Sequence, residues 1–269
     1  MVNGLKAGTG FPLSGAGSGL RFLYEDNHLV AVSKRAGDIV QGDKTGDVPL
    51  SDMVKAWLRD RYQKPGNVFL GVVHRLDRPV SGVVLFARTS KALSRLGRMF
   101  AGHTAVRKTY LAIVTSRPAA GEGTLTHWLT RNEKQNTARA YDREVPGSKK
   151  AVLDYCLVAE SDRYFLLEVT LHTGRHHQIR CQLARIGCPI RGDLKYGAPR
   201  SNPDGGISLH AWRLSLEHPV SHLPLAIEAP VPEERLWQEM MKAYRPEWRG
   251  ESQIVRGQTM RCHQPHLES

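Results

Sequence analysis

Short apolar runs recur along this chain, and Gly, Pro and charged residues separate them. Runs of this kind that are rich in Val, Ile, Leu, Tyr and Phe predict β-strands bounded by turns. The first three are HLVAVSK after Asn27, VFLGVV before His74, and Val83–Ala87. Five later runs have the same character: Thr109–Val114, Val152–Glu160, Tyr164–Leu171, Leu209–Leu216 and Leu223–Glu228.

Apolar residues at helical spacing predict three helices. The first helix is predicted across Ser51–Tyr62, and the second after a Thr89 or Ser90 cap, ending at Gly102. The third is predicted after Thr173-Gly174-Arg175, which places Arg175 at a strand-to-helix corner. The apolar positions are Val54, Trp57 and Leu58 in the first helix, Leu93, Leu96, Met99 and Phe100 in the second, and Ile179, Leu183 and Ile186 in the third. Strands outnumber helices and rarely alternate with them, so we predict an α+β fold with a largely antiparallel sheet.

The two ends of the chain lack this patterning. Residues 1–20 are rich in Gly and Ser, which predicts a flexible N-terminal arm. Residues 245–269 are polar, contain two prolines and show no strand or helix period, which predicts a poorly ordered tail. We therefore expect one folded domain over residues 21–244.

Composition narrows the class of partner. The 269 residues include 38 Lys and Arg against 26 Asp and Glu, a net charge of +12 with a pI near 9.8. A basic globular chain of this kind favours a polyanionic partner such as RNA or DNA. No run is apolar enough to span a bilayer, the start has no continuous apolar segment, and the four cysteines form no CxxC pair. We therefore expect a cytoplasmic protein.

Asp77 is the first candidate for chemistry. It follows His74 and Arg75, lies between two predicted strands, and precedes Pro79 and Gly82, so the chain is expected to turn there with the carboxylate in a crevice. A nucleophile or base at this position must stay ionised, which requires a nearby cation such as Arg75 or Arg175. The alternative interpretation is an ordinary turn-forming aspartate.

Tyr110 is the second candidate. It follows Arg107 and Lys108, and this arrangement suits an aromatic platform for a nucleobase beside phosphate contacts. The alternative interpretation is a half-buried tyrosine in the sheet.

Histidines and cysteines also cluster near the third predicted helix. The pattern matches none of the short-spaced structural zinc sets, so we predict no metal. The chain has no GxxxxGK[ST] or GxGxxG motif in a phosphate-binding context, and no nucleotide cofactor is expected. The residues of the cluster are His172, His176, His177, Cys181 and Cys188.

Five segments occur in a familiar order, and together they resemble the RluA-type RNA pseudouridine synthases. The pairing of His-Arg-Leu-Asp with a downstream Thr-Gly-Arg-x-His-Gln-Ile-Arg is highly specific. The resemblance extends over about residues 21 to 240. The segments are LYEDNHLVAVSKRAG, GVVHRLDRPVSGVVLFARTSKA, RKTYLAIV, LHTGRHHQIRCQLARIGCPIRGDLKYG and LHAWRLSLEHPV.

This resemblance implies a fold and an activity. The fold is a mixed, mostly antiparallel sheet with peripheral helices and a central RNA-binding cleft. The activity is the isomerisation of specific uridines in rRNA or tRNA, by cleaving the N-glycosidic bond and rejoining uracil through C5. It needs no metal or organic cofactor. RNA is the expected partner, with no obligatory protein partner, and we expect a monomer.

The resemblance also implies roles for individual residues. The catalytic aspartate falls on Asp77, the active-site tyrosine on Tyr110, and the basic partner of the aspartate on Arg175. Arg75 is expected to fill the gap left by the flipped nucleotide. Five further residues are expected to contact RNA: His74, Arg107, Lys108, His177 and Arg180.

Two other functions compete with this interpretation. A non-catalytic RNA-binding or ribosome-assembly module could share the fold without the reaction. An aspartate-based nucleoside or glycoside hydrolase would usually need a second carboxylate about 5–10 Å away, and the sequence offers no acid beside Asp77 for that role.

Overall fold

The structure is a computed structural model that describes residues 19–43, 45–102 and 105–244. Apart from Gly19 and Leu20, the predicted arm and the tail lie outside these residues, and Leu20 is buried against the core. The strands are β1 (Arg21–Glu25), β2 (Leu29–Lys34), β3 (Gly71–Val72), β4 (Ser81–Ala87), β5 (Val106–Val114), β6 (Glu122–Asn132), β7 (Thr137–Tyr141), β8 (Lys149–Glu160), β9 (Phe165–Leu171), β10 (Leu209–Glu217) and β11 (Pro224–Glu228). The helices are α1 (Leu50–Arg61), α2 (Ser90–Gly102), α3 (Gln178–Arg185) and α4 (Arg235–Ala243).

All eleven described strands join one sheet in the order β1-β2-β4-β10-β5-β9-β8-β6-β7, with β3 paired to β4 and β11 paired to β10. Neighbours are antiparallel except β4 and β10, which run parallel. This confirms the predicted α+β class and the mostly antiparallel sheet.

The helices pack against apolar side chains on both faces of the sheet. On β5, Ala112 and Val114 pack in the largest core cluster, together with Val54 of α1 and Leu183 of α3. The alternating position Leu111 packs in a separate cluster with residues of α4. The period of two along the strand therefore sends successive side chains to different cores, as a sheet covered by helices on both sides requires.

The predicted elements are largely confirmed, with two kinds of error. Of the run VFLGVV, only Gly71–Val72 is a strand. The pattern missed β1, α4 and the β6–β7 hairpin. Its strand β6 buries only His127 and Leu129 and its strand β7 only Ala138 and Ala140, so neither shows a buried apolar run. None of the helices among the described residues has the length and apolar character that a membrane crossing requires.

Candidate active site

A tight turn between β3 and β4 carries Asp77. The Val80 amide donates to the Asp77 carbonyl at 3.0 Å, which closes the turn. The buried ammonium of Lys34 donates to the carbonyls of Arg78 and Val80 at 2.9 and 2.6 Å. Lys34 therefore fixes the backbone on the C-terminal side of Asp77.

Gly82 brings β4 close to β10 just after this turn. Its φ is +119°, and a Cβ there would lie 2.2 Å from the Ala211 carbonyl oxygen. Only glycine accepts both that backbone conformation and that approach. Ala211 pairs in turn with Tyr110 of β5, so the turn lies one strand away from the candidate tyrosine.

Arg180 of α3 holds the Asp77 carboxylate. Its Nη1 lies 3.1 Å from Asp77 Oδ2, while its Nε and Nη2 donate to the two oxygens of Asp193 at 2.7 and 2.8 Å. The Asp193 side chain is 1% exposed, whereas that of Asp77 is 30% exposed. Burial lowers the pKa of Arg180, but the ion pairs with Asp193 and Asp77 outweigh burial and raise it above its ordinary value. The Arg180 guanidinium is therefore a fixed positive charge that pairs with one buried carboxylate, Asp193, and one accessible carboxylate, Asp77.

His177 completes this network. Arg180 Nη1 also donates to His177 Nε2 at 2.9 Å, so the histidine proton lies on Nδ1, which donates to the Tyr196 hydroxyl at 2.8 Å. That hydroxyl accepts a second hydrogen bond from the Ala138 amide at 2.7 Å. Burial, reinforced by Arg180, lowers the pKa of His177 to about 2, so the imidazole is neutral. Both of its nitrogens are already engaged within the protein.

Tyr110 faces the same region as Asp77 from the middle of the sheet. It lies on β5 between β9 and β10 and packs partly against the main core. Burial and the nearby charge of Asp77 raise the pKa of its hydroxyl well above the ordinary value. The phenol therefore stays protonated at neutral pH.

The predicted role of Arg175 is corrected by the structure. Arg175 Nε donates to the Lys150 carbonyl at 3.0 Å, and the ion pair with Asp77 comes from Arg180. The corner after Thr173-Gly174 is not yet helix, because α3 begins at Gln178. Arg180 therefore lies in the first turn of the helix, where its side chain points into the protein.

The predicted RNA contacts divide into two groups. Arg75 and Arg107 are exposed and Lys108 is half-buried, which leaves them available as the prediction requires. Three other residues make hydrogen bonds within the protein, and contact with RNA stays a prediction for them. These are Arg180 and His177, described above, and His74, which accepts a hydrogen bond from the Leu85 amide at 3.0 Å and stacks on Phe100.

One group of side chains could hold a metal ion among the described residues. Donor atoms of Asp77, His176 and His177 all lie within 4.8 Å of one another. However, the Arg180 guanidinium already binds Asp77 Oδ2 and His177 Nε2, and Asp193 holds it in place. A divalent cation would have to compete with this fixed charge for the same two atoms, so the donor set fits a metal poorly.

A basic cavity lies beside the site. Its volume is about 500 Å³, and it opens between the β6–β7 hairpin and Tyr196, the residue that binds His177. Arg131, Arg139 and Lys195 are among its lining residues, and all three are exposed. Such a concentration of cations fits phosphate groups.

Comparisons with known proteins identify the family of this chain. Residues 28–185, more than half of the chain, match the family described as RNA pseudouridylate synthase. The ribosomal large subunit pseudouridine synthase D of Xylella fastidiosa is 35% identical over 229 residues, covering 80% of this chain and 67% of that protein. The tRNA pseudouridine synthase C of Salmonella typhi is 34% identical over 249 residues, covering 86% and 91%. Human RNA pseudouridylate synthase domain containing 4 shares the fold, with a TM-score of 0.67 at 22% identity over 82% of this chain and 92% of that one.

The chain therefore belongs to the RNA pseudouridylate synthase family, which confirms the resemblance drawn from the motifs. The activity of this family is the isomerisation of uridine in RNA to pseudouridine.

Proposed function

We propose that this RNA pseudouridine synthase acts on rRNA or tRNA, with Asp77 as the catalytic carboxylate. The observation that supports this proposal is the unequal burial of the two carboxylates that Arg180 binds. Asp193 is buried, whereas Asp77 is accessible. An accessible carboxylate that a fixed guanidinium holds in place is positioned to act as a nucleophile or as a base. The names of the relatives support both rRNA and tRNA as substrate classes.

The reaction begins with extrusion of the target uridine, which costs a few kcal/mol and least in a loop. Asp77 then acts at the ribose in one of two ways: it attacks C1′, or it removes the C2′ proton to give a glycal. In both routes the glycosidic bond breaks, uracil turns within the site, and its C5 bonds to C1′. In the first route this bond displaces the Asp77 carboxylate from C1′, and in the second Asp77 returns the proton to C2′. The C5 proton leaves last.

Tyr110 is proposed to stack on the uracil during this rotation. Tyr110 lies one strand away from the turn of Asp77, and its hydroxyl remains protonated because burial and the charge of Asp77 raise its pKa. The hydroxyl can therefore donate to a uracil carbonyl. To accept the C5 proton, it would have to pass on its own proton in the same step.

Arg75, Arg107 and Lys108 are proposed to contact the RNA around this point. Arg75 lies two residues before Asp77 and is exposed, so its side chain can enter the gap that the flipped nucleotide leaves in the RNA. Asp77, Arg180 and Asp193 belong to a single chain, which supports action as a monomer. We propose the cytoplasm, where rRNA and tRNA function, as its location.

The deciding experiment is Asp77→Asn, which removes the charge but little of the shape. We expect no pseudouridine from the purified variant, with affinity for RNA within a few fold of the native protein. Asp60→Asn is the matched control, because Asp60 is an exposed aspartate on α1 and should leave turnover unchanged. Turnover by Asp77→Asn would refute the assignment, and a native protein without turnover would favour the non-catalytic RNA-binding module. Mapping pseudouridine in total RNA with and without this protein identifies the substrate.

A further inference from the structure

His176 is a polar residue of the site that the network described above leaves unused. Its ring stacks on His177 with centroids 3.8 Å apart. Its Nε2 is buried and has no hydrogen-bond partner among the described residues. A buried polar atom without a partner is destabilising, so a substrate group that hydrogen-bonds it is favoured.

The position of His176 indicates which substrate group can reach it. Ligand nitrogens of His176 and His177 and a carboxylate oxygen of Asp77 lie within 4.8 Å of one another. Asp77 acts at C1′ or at the C2′ proton, and the 2′-oxygen is bonded to C2′. In either route the 2′-hydroxyl arrives beside the Asp77 carboxylate, within reach of a polar atom at this distance.

His176, unlike His177, has a ring nitrogen available for a further hydrogen bond. His177 already uses Nδ1 on Tyr196 and Nε2 on Arg180. Burial lowers the pKa of His176, and Arg131, Arg180 and Lys195 act in the same direction against the charge of Asp77. The neutral imidazole therefore offers one donor and one acceptor nitrogen, which matches a hydroxyl group.

We propose that His176 hydrogen-bonds the 2′-hydroxyl of the target uridine, and so positions the ribose against Asp77 and selects RNA over DNA at that nucleotide. The 2′-hydroxyl is the group by which a protein distinguishes RNA from DNA at a given position. This proposal rests on the proposed role of Asp77.

The test uses two stem-loop RNAs that differ only at the target nucleotide, which is uridine in one and 2′-deoxyuridine in the other. Affinity and single-turnover rate are measured for the native protein, His176→Phe and His176→Gln. The Phe variant keeps a ring stacked on His177, and the Gln variant keeps hydrogen-bonding groups. His172→Phe is the matched control, since His172 lies four residues earlier and pairs with Asp154 outside the site.

We expect the native protein and His172→Phe to prefer the ribose substrate by roughly 2- to 10-fold, the range of one neutral hydrogen bond. His176→Phe should lose this preference by binding the ribose substrate more weakly, and His176→Gln should restore part of it. Equal discrimination by the native protein and His176→Phe, or none by the native protein, would overturn the proposal.

The same affinities measured in the Asp77→Asn protein separate this proposal from the catalytic assignment. There the preference for the 2′-hydroxyl should survive without turnover, and His176→Phe should still abolish it. If Asp77→Asn turns over, the proposed function fails. If the preference for the ribose substrate is the same with and without His176→Phe, only this inference fails.

Discussion

Replacing Asp193 by Asn isolates the buried half of the ion-pair network. Asp193 accepts two hydrogen bonds from Arg180, and both side chains are almost completely buried. Asparagine has nearly the same shape but one acceptor oxygen in place of two. Its amide group would point a donor at the donors of the guanidinium, so Arg180 would lose its matched partner without gaining space.

The size of the effect follows from the burial of the pair. Breaking a buried ion pair by removing one partner typically costs about 3–5 kcal/mol, because an uncompensated charge remains in the interior. Arg180 still has Asp77 and His177 as acceptors, so we expect the lower end, about 3 kcal/mol of unfolding free energy. With an m value of about 2–3 kcal/mol/M in urea, the midpoint should fall by about 1–1.5 M.

The chain offers a control with the same chemistry on the same helix. Arg185 of α3 binds both oxygens of Asp142, at 2.5 and 3.3 Å, but these side chains are 49% and 68% exposed. Water solvates the Arg185 charge that remains when Asp142 is replaced, so the urea midpoint of Asp142→Asn should be indistinguishable from that of the native protein. Equal midpoint shifts for the two variants, with unchanged m, would refute the claim that burial makes the Arg180 pair a structural necessity.

Four further outcomes are expected. Tyr110→Phe should keep RNA affinity but lose most of the single-turnover rate if the hydroxyl moves a proton, and an active variant would leave the ring as a stacking platform only. The slope of log affinity for RNA against log salt concentration should become shallower by roughly 0.7 in Arg131→Ala, because the variant loses one phosphate contact to single-stranded RNA. An unchanged slope would show that the basic cavity does not contact the RNA. Activity should survive exhaustive chelation and dialysis, and loss of activity that zinc restores would contradict this. Burial lowers the pKa of His74 and His210 to about 4 in the folded protein, whereas both have a pKa near 6.5 in the unfolded chain. The free energy of unfolding should therefore fall as the pH is lowered from about 6.5 to 4, by up to about 1.4 kcal/mol per pH unit for each histidine. A urea midpoint that stays constant over that range would contradict the interpretation that both histidines are buried and neutral.

The buried strands and helices could be predicted because their pattern is a direct record of burial. The strand β4, with every residue buried, reads as a continuous apolar run, and α2 shows its apolar face at helical spacing. The β6–β7 hairpin could not be found this way, because it lies at the edge of the sheet and its strands expose polar side chains to solvent. The pairing order of strands is likewise set by contacts between distant segments, which no local period records.

The position of Asp77 in a turn between two strands could also be predicted, but the identity of its partner could not. Arg175 and Arg180 stand five residues apart, and composition treats both as surface cations. The burial of α3 at every position from Gln178 to Leu183 means that a charged residue there must be paired, but this burial is seen only in the structure. The same argument applies to Lys34, which looks like a surface lysine in sequence and is 1% exposed in the structure.

The unequal burial of the two acids on Arg180 also explains how the site tolerates its own chemistry. During the reaction Asp77 loses its negative charge, either by forming an ester at C1′ or by taking up the C2′ proton. If Asp77 were the sole partner of Arg180, that step would leave an uncompensated guanidinium in a buried place, at a cost of several kcal/mol. Asp193 remains bonded to Arg180 through two hydrogen bonds throughout. The buried carboxylate therefore keeps the guanidinium neutralised and oriented, which leaves Asp77 free to change its charge and recover it in each turnover.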